Sequence, residues 1–446
     1  MIINARTRGL FVAILSGFVG RAITAFLPLI VMPAMLEHLG PVLFGTWLTA
    51  ATLSTIATFL DFGIGNAATT RLSDAFGRDD MQSVRSILGE AYIALFVLTG
   101  TLLLFVAVGY FSIQRLNPGE FENGQVTVVA VVLSALFLSF PGGIIWRLQQ
   151  SQHRFIAAQL AQMAPSLVTL CVSLWVIRVG FSPIATITVY ALTNPLVLMV
   201  WSLVHFSRNA TQRPDFQRIR WSSMRSLVEL GGAFFVLSIF TLIGMNADNI
   251  ILAAIAGSEV VAEYGVPARL GAVLMLIVGT VFMPLWPLFG AALAQNDRLW
   301  LAKTSRRMSF GGGFLILAFG LTMTAYSDFL FDIWMSRNFE DQKRILIGWT
   351  ASATIIALTA PYNMILNASG MASKQLPPWI VFVSISVALK YFLLTGQTAW
   401  IAPWITTGVY AVTVLPVVAV LAMQRLKEIP LQQKSAPDFN LRKAEL

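Results

Sequence analysis

Long apolar stretches separated by short polar segments recur along the whole chain. A window of about 19 residues, the length that spans a hydrocarbon core as a helix, divides them into twelve predicted helices. The pattern therefore predicts an all-α polytopic membrane protein with twelve transmembrane helices. The predicted spans are Gly9–Leu36, Val42–Gly65, Ile87–Phe111, Val126–Trp146, Phe155–Ile177, Ile184–Phe206, Leu227–Ile255, Val260–Leu293, Phe310–Trp334, Ile345–Leu366, Trp379–Gly396 and Ile401–Met423.

The two halves of the chain resemble each other at an offset of about half its length, as expected of an internal repeat. A segment around Phe44 and Gly45, ending near Asp79, matches one around Tyr264 and Gly265 that ends near Arg298. Six helices per repeat is an even number, so both copies enter the bilayer from the same side and the repeat is parallel. We expect two six-helix bundles, with the domain bounds 1–206 and 227–424, a cytoplasmic linker at 207–226 and a cytoplasmic tail at 425–446.

Composition and charge narrow the class of protein. Hydrophobic residues make up 57% of the 446 residues and charged residues only 11%, which excludes most soluble enzymes. One Cys and three scattered His leave no pattern for a metal site, and no phosphate-binding Gly-Lys-Ser/Thr loop is present. We expect no cofactor and no enzymatic activity.

The formal net charge of +9 has a topological interpretation. Most of the 30 Lys and Arg residues fall in the termini and in the loops on one side of the predicted spans. By the positive-inside rule this side is the cytoplasm, so both termini are expected there and no nucleic-acid partner is expected.

One stretch of sequence resembles a known family. The run Gly40–Trp47, followed by Phe59–Ala67 and a polar segment at Arg71–Ala75, is similar to the N-terminal signature of polysaccharide flippases. These flippases include the O-antigen translocases of the multidrug/oligosaccharidyl-lipid/polysaccharide exporter superfamily. The resemblance implies a V-shaped carrier of two six-helix bundles. Such a carrier moves a polyprenyl-diphosphate-linked oligosaccharide from the cytoplasmic to the outer leaflet.

Three basic residues fall inside predicted spans, where an ionised side chain costs at least about 2.5 to 3.5 kcal/mol without a partner or a wet cavity. Arg21, in the middle of the first span, is a candidate anion contact or a member of an interhelical ion pair. Lys390, in the eleventh span, is a candidate substrate contact or reaches the outer interface. Arg269, also a candidate substrate contact, is expected to pair with Asp248 across a turn near Gly257.

Acidic and amide groups provide the remaining candidates. Asp248 and Asn249 form a polar cluster in the seventh span that is a candidate for proton or sodium coupling, or only the partner of Arg269. Asn363 and Tyr190 lie near intramembrane prolines and are candidate contacts for a sugar-bearing substrate. Three further groups near the cytoplasmic ends of spans are better explained as helix-end or gate contacts: Asp61, Glu90 and Arg147.

These observations predict a transporter of the bacterial inner membrane for cell-surface polysaccharide synthesis, working by alternating access. Its expected partners are the lipid-linked oligosaccharide, membrane lipids, a coupling proton or sodium ion and the polysaccharide polymerase machinery. The alternatives are a cation-coupled multidrug exporter, a peptidoglycan-precursor flippase and a membrane glycosyltransferase or polymerase. The single first-span charge, Arg21, is basic and argues against the multidrug exporter.

Overall fold

We analysed a computed structural model of the chain. The structure describes residues 15–20, 24, 30–31, 34–40, 43–44, 46–47, 50, 61–116, 124–217, 219–335, 339, 341–395 and 397–430. Most of the first and second predicted spans, including Arg21, lies outside these residues. The side chain of Asn249 is also outside them, although its backbone is helical.

Every regular element in the described part of the chain is a helix, and thirteen α-helices have defined bounds. They are α1 (Ile64–Gly77), α2 (Met81–Leu116), α3 (Gln125–Gly142), α4 (Ile144–Ser151), α5 (Phe155–Val179), α6 (Pro183–Arg208), α7 (Trp221–Phe282), α8 (Leu285–Ala294), α9 (Arg298–Ala325), α10 (Ser327–Met335), α11 (Gln342–Ala368), α12 (Ala372–Leu393) and α13 (Ala402–Glu428). Short 3₁₀ turns occupy Ala210–Gln212 and Ala399–Ile401.

Ten helical segments in the described residues are long and apolar enough to cross a membrane. They correspond in order to the third to twelfth predicted spans, so the chain is a multi-pass membrane protein. The ninth prediction differs at its end: α9 stops at Ala325, and a separate helix, α10, covers the stretch that the sequence added to it. Hydropathy detected the apolar run but not the break at Tyr326, where the helix ends.

The residues of α7 are helical throughout, yet the chain reverses direction between Asp248 and Tyr264. The Tyr264 hydroxyl donates a hydrogen bond of 2.5 Å to Asp248 Oδ2. Sixteen residues of straight helix would separate these two positions by about 24 Å along the axis. The chain must therefore turn back between them, in the region where the sequence predicts a turn near Gly257.

The described residues divide into two compact units, one that ends at Phe235 and one that begins at Val236. The division falls inside α7, after the linker that the sequence predicts at 207–226. We refer to the units as unit 1 and unit 2 and describe each by itself.

Two chain reversals show the internal repeat in backbone detail. Asp79 follows α1 with a φ of 55°, and Asn296 follows α8 with a φ of 54°. In both turns the next amide, that of Asp80 or Asp297, donates to the carbonyl five residues back, at 3.0 and 2.9 Å. The two turns are structural equivalents, and we call the separation of Asp79 and Asn296 along the chain the repeat interval.

The same interval recurs farther along the chain. His153, between α4 and α5, and Gly370, between α11 and α12, have φ values of 61° and 69° and also lie one repeat interval apart. The first residues of α2, α3 and α5 each precede the first residues of α9, α11 and α12 by the same interval. The structure therefore fixes the register of the repeat to the residue, which the sequence comparison gave only approximately.

Candidate functional site

Unit 1 encloses two adjoining cavities of about 300 and 330 Å³. Helices α3, α5 and α6 form their shared wall through Leu136, Gln162, Pro165 and Asn194, which line both. Pro165 lies inside α5, where a proline leaves a backbone carbonyl without its helical partner. Two amide side chains and a proline-containing helix therefore give an apolar interior a set of hydrogen-bonding groups.

A guanidinium group lies at one end of these cavities. Arg147, on the short helix α4, donates from Nη1 to Asn66 Oδ1 at 2.9 Å and from Nη2 to Asp61 Oδ2 at 3.2 Å. It also lies over the Trp146 ring at 4.8 Å. Gly65 makes room for the guanidinium, because a Cβ at that position would overlap it. Arg147 is thus held by three partners while it lines the cavity.

An aromatic pair lies at the other end of the cavities. The Tyr190 ring contacts the Trp47 ring edge to face, with centroids 5.2 Å apart. Asn194 follows Tyr190 by one helical turn on α6 and therefore lies on the same face. The two cavities, which we together call the unit 1 cavity, thus offer aromatic surface, neutral amides and a guanidinium paired with a carboxylate. The amides can hydrogen-bond an uncharged polar group, and the guanidinium can bind an anion that replaces Asp61.

Unit 2 contains a buried ion pair. Lys390 Nζ, on α12, lies 2.6 Å from Asp248 Oδ1, on α7, and 1% and 7% of the two side chains are exposed. The Tyr264 hydroxyl satisfies the other carboxylate oxygen. A small cavity of about 10 Å³, the size of one water, adjoins Asp248 and is lined also by Ser352 and Thr406.

The two sites are related by the repeat. Asp248, Trp349 and Ser352 line the small cavity of unit 2, and each lies one repeat interval after a residue lining the 300 Å³ cavity of unit 1. Those three residues of unit 1 are Val31, Val132 and Ala135. Equivalent positions thus form an open cavity in unit 1 and a nearly filled, charged one in unit 2.

The ion pair corrects one sequence expectation. Among the described residues the ionic partner of Asp248 is Lys390, and the Arg269 side chain is exposed. Depth along the helices suggested Arg269, but depth does not determine which side of a helix faces which neighbour. Lys390 also does not reach the interface, since its ammonium group is buried.

The three residues interpreted as helix-end or gate contacts separate into two sites. Asp61 and Arg147 pair with each other at the cavity. Glu90, 1% exposed, accepts a 2.8 Å hydrogen bond from Ser223 Oγ and lies 3.5 Å from Arg71 Nη1. Burial lowers the pKa of Arg71 and the charge of Glu90 raises it, so the two effects oppose each other.

The other sequence candidates have mixed outcomes. Tyr190 lines the unit 1 cavity. Asn363 lies on α11 in unit 2, with its Oδ1 buried and without a hydrogen bond of standard geometry in the described structure. No group of three or more His, Cys, Asp or Glu side chains in the described residues is arranged to hold a metal ion.

Sequence reasoning did not single out Trp47, Gln162 or Asn66, all of which belong to the unit 1 site. One signal was present: Gln162 is an amide in the interior of an apolar helix, one turn before an intramembrane proline. The partners of Arg147 gave no comparable signal, because Asn66 is 81 residues away in the chain.

Comparison with known proteins identifies the family. The family described as polysaccharide biosynthesis protein matches residues 8–292, more than half of the chain. The chain belongs to this family. The polysaccharide flippase resemblance read from the sequence is confirmed, within the multidrug/oligosaccharidyl-lipid/polysaccharide exporter superfamily.

One protein with a similar sequence is a Yersinia pseudotuberculosis protein whose name describes O-antigen export. It is 20% identical over 398 residues, which cover 86% of this chain and 87% of the relative. Proteins named in these comparisons are exporters or transporters.

Solved structures share the fold. The outward-facing structure of a multidrug-resistance transporter of the same superfamily has a TM-score of 0.74 and 15% identity, covering 95% of this chain and 98% of the other. A superfamily transporter from Pyrococcus furiosus has a TM-score of 0.76 and 12% identity, covering 96% and 98%. At these identities the likeness concerns the fold alone.

Proposed function

We propose that this protein flips a polyprenyl-diphosphate-linked oligosaccharide across the bacterial inner membrane by alternating access, from the cytoplasmic to the outer leaflet. The observation that carries the proposal is the unit 1 cavity, in which Arg147, paired with Asp61, lies among neutral amides and aromatic rings, in a member of the polysaccharide biosynthesis family. Both termini would be cytoplasmic, following the distribution of Lys and Arg. The protein would act as a carrier with no catalytic step.

In this proposal Arg147 is the contact for the anionic part of the substrate. A guanidinium offers paired donors that match phosphate geometry. In the structure the same donors engage Asp61 and Asn66. A diphosphate would compete with Asp61 for Arg147, so substrate entry and release of this ion pair would be linked. Arg21, on the first span, stays a second candidate for the same role.

Gln162, Asn194 and Tyr190 are proposed to contact the sugar. Their side chains donate and accept hydrogen bonds but carry no charge, and they share one cavity wall with Pro165. An uncharged, hydroxyl-rich group satisfies such donors and acceptors without the desolvation cost of a second ion. Tyr190 and Trp47 add apolar surface for the faces of the sugar rings.

Asp248 and Lys390 are proposed to take part in coupling. The pair is almost inaccessible, so we assign substrate contact to unit 1 and a coupling role to unit 2. A proton or sodium ion that reached Asp248 would release Lys390 and Tyr264 from it. Asn249 and the small cavity next to Asp248 lie in the same region of unit 2. Lys390, Arg269 and Asn363 as direct substrate contacts stay predictions.

The experiment is complementation of a bacterial strain that lacks its own oligosaccharide flippase, with surface polymer as the readout. Arg147→Ala, Gln162→Ala and Asn194→Ala should lower polymer export while the protein is inserted at parental levels. The matched control is Arg178→Ala, because Arg178 is an exposed arginine at the end of α5 that lines neither cavity. Parental export by all three cavity variants would contradict the proposal.

A multidrug exporter is the second candidate. It is favoured by one observation, that Asp61, an acid of the kind that would bind a cationic drug, lines the unit 1 cavity. The Asp61 carboxylate is already paired with Arg147, which weakens its attraction for a cation. Resistance profiling of cells that express the protein separates the two candidates: raised resistance without polymer export would favour the drug exporter.

A further inference from the structure

An apolar groove of about 720 Å³ runs between α2 and α3 in unit 1. It is separate from the cavities described above, although Thr46 at its edge is the chain neighbour of Trp47, which lines a cavity. We call it the α2–α3 groove. Its lining residues are Thr46, Leu102, Phe105, Val106, Gly109, Tyr110, Ile113, Gln125, Val126, Val129, Ala130, Leu133 and Phe137.

The groove has the length and polarity of a site for one hydrocarbon chain. From Leu102 to Ile113 it follows α2 for about 16 Å, half of a hydrocarbon core about 30 Å thick. No Asp, Glu, Lys, Arg or His is among its lining residues. Gly109 and Ala130 are small residues on the two facing helices and leave width for a branched chain.

The equivalent positions of unit 2 differ from this lining in part. The positions one repeat interval after Phe105, Val126, Leu133 and Phe137 lie in the same repeat of unit 2, within the same kind of bilayer. They are Thr322, Lys343, Thr350 and Thr354. At these four positions unit 2 carries hydroxyls and a charge, whereas other equivalent positions are apolar in both units: Phe319, Met323, Leu330 and Leu346.

Helix α3 connects the groove to the cavity. One face of α3, with Val132, Ala135 and Leu136, lines the cavity, and another face, with Val129 and Leu133, lines the groove. A molecule with a polar end and a long apolar chain would find the two environments on two faces of a single helix.

The end of the groove nearest the α2–α3 connection is polar. There Tyr110 Oη lies 3.4 Å from Thr127 Oγ1, and Gln125 begins α3. Arg115, in the last turn of α2, follows the groove by two residues and is exposed. These polar groups mark where the apolar part of the groove ends.

We propose that the α2–α3 groove binds the polyprenyl chain of the substrate while the polar headgroup occupies the unit 1 cavity. This inference rests on the proposed function. It adds a second contact region for the substrate, one that recognises a single branched hydrocarbon chain. Occupation by phospholipid acyl chains alone is the competing outcome in the experiments below.

The first test is photocrosslinking in the full-length protein. In the test variant the photoreactive residue p-benzoylphenylalanine replaces Phe105, which lines the groove. In the control variant it replaces Phe111, another exposed phenylalanine of α2 that does not line the groove. The protein is reconstituted in phosphatidylethanolamine and phosphatidylglycerol vesicles with a polyprenyl diphosphate that carries one tritiated N-acetylhexosamine.

We expect at least fivefold more tritium on the position 105 variant than on the position 111 variant, and we expect unlabelled polyprenyl diphosphate to compete with it. Equal tritium labelling at the two positions would overturn the inference. Crosslinking of position 105 to phospholipid only, without tritium, would overturn it as well. The benzoyl derivative contains the whole phenylalanine side chain, so neither variant loses the aromatic ring of the parent.

The second test fills the groove. A Cβ added at Gly109 meets no atom within 4 Å, and the same is true at Gly100 on the same helix, outside the groove. Gly109→Trp should lower flipping of the tritiated lipid in vesicles at least tenfold, whereas Gly100→Trp should flip at the parental rate. Thermal unfolding of both variants checks that neither has lost its fold.

The outcomes distinguish the two levels of the proposal. If the parent protein does not flip the lipid at all, the proposed function fails. If the parent flips it, Arg147→Ala does not, and Gly109→Trp flips as well as Gly100→Trp, the function stands and the groove inference is wrong.

Discussion

Lys390 and Asp248 lie on helices that are far apart in the sequence, yet Nζ and Oδ1 are 2.6 Å apart in the interior of unit 2. A buried ion pair gains little over a well-packed apolar pair, because both ions lose hydration. Removing one member is far more costly, since it leaves an uncompensated charge in the interior. The pair is therefore a sensitive point for both the stability and the function of unit 2.

Single substitutions of this pair should destabilise the protein strongly. We expect Asp248→Asn or Lys390→Met to lower the free energy of unfolding by about 3–5 kcal/mol, because each leaves one buried ion alone. The measurement is the thermal unfolding midpoint of the purified protein in detergent. A midpoint equal to that of the parent in both variants would mean that the pair is not buried as described.

The double variant separates stability from coupling. Asp248→Asn combined with Lys390→Met removes both charges and should recover most of the lost stability. If the pair couples transport to a proton or sodium gradient, lipid flipping by the double variant should no longer respond to that gradient. A double variant that recovers both stability and the gradient response would assign the pair a purely structural role.

The position of the Arg147 guanidinium should depend on the absence of a side chain at residue 65. Gly65→Ala places a methyl group on the guanidinium and should displace it from Asp61 and Asn66. A displaced guanidinium would no longer lie where the proposal places the substrate phosphate. A hydrogen bond to a charged group contributes about 1.5–3 kcal/mol, so loss of this contact should lower polymer export about tenfold or more.

Gly232→Ala is the control for this prediction. Gly232 lies on the part of α7 that belongs to unit 1, and an added Cβ there meets no atom within 4 Å. Export and insertion should match the parent. If Gly65→Ala exported polymer as well as Gly232→Ala, the geometry at Arg147 would not matter for transport.

The sequence was sufficient to predict the ten membrane-spanning helices of the described residues and the internal repeat, because both follow from local sequence patterns. A run of about twenty apolar residues has few alternatives to a membrane helix, and the turn at Asp79 has the same short polar sequence type as the turn at Asn296. Neither inference requires knowledge of which helices are neighbours.

The pairing of buried charges could not be predicted in the same way. Arg269 and Asp248 have compatible depths, and so do many other pairs of positions in a helical bundle. What selects Lys390 is the rotation of α12 about its axis, which depends on side-chain packing along its whole length. Hydropathy is insensitive to that rotation, because the apolar residues of a membrane helix surround it on all sides.

The linker after α6 should be released by a small substitution on α2. The Asp215 amide donates to the Arg85 carbonyl at 3.0 Å, and Arg85 Nε donates to the Arg213 carbonyl at 3.1 Å. Gly89 allows this approach, since a Cβ there would come within 2.5 Å of the Asp215 carbonyl. Gly89→Val should therefore push the linker backbone away from α2 and free it to enter a protease active site.

Limited proteolysis measures this release. Trypsin should cut residues 208–220 several times faster in Gly89→Val than in the parent, because cleavage follows the population of the opened segment. Gly100→Val, on the same helix, where an added Cβ meets no atom within 4 Å, should be cut at the parental rate. Equal cleavage of the two variants would show that the linker is not held through this contact.

The two equivalent turns should respond alike to substitution. Asp79 and Asn296 have φ values of 55° and 54°, a conformation that glycine adopts without strain and β-branched residues adopt at a cost. Asp79→Val and Asn296→Val should each destabilise by about 1–3 kcal/mol, whereas Asp79→Gly and Asn296→Gly should be close to neutral. Thermal unfolding midpoints of the four variants provide the comparison.

The pattern across the four variants separates geometry from energetics. If valine is tolerated at one position and not at the other, the turns share their geometry but not their energetic role. If valine is tolerated at both, the left-handed conformation itself is wrong, since no other contact would remove the clash of a branched Cβ with the backbone.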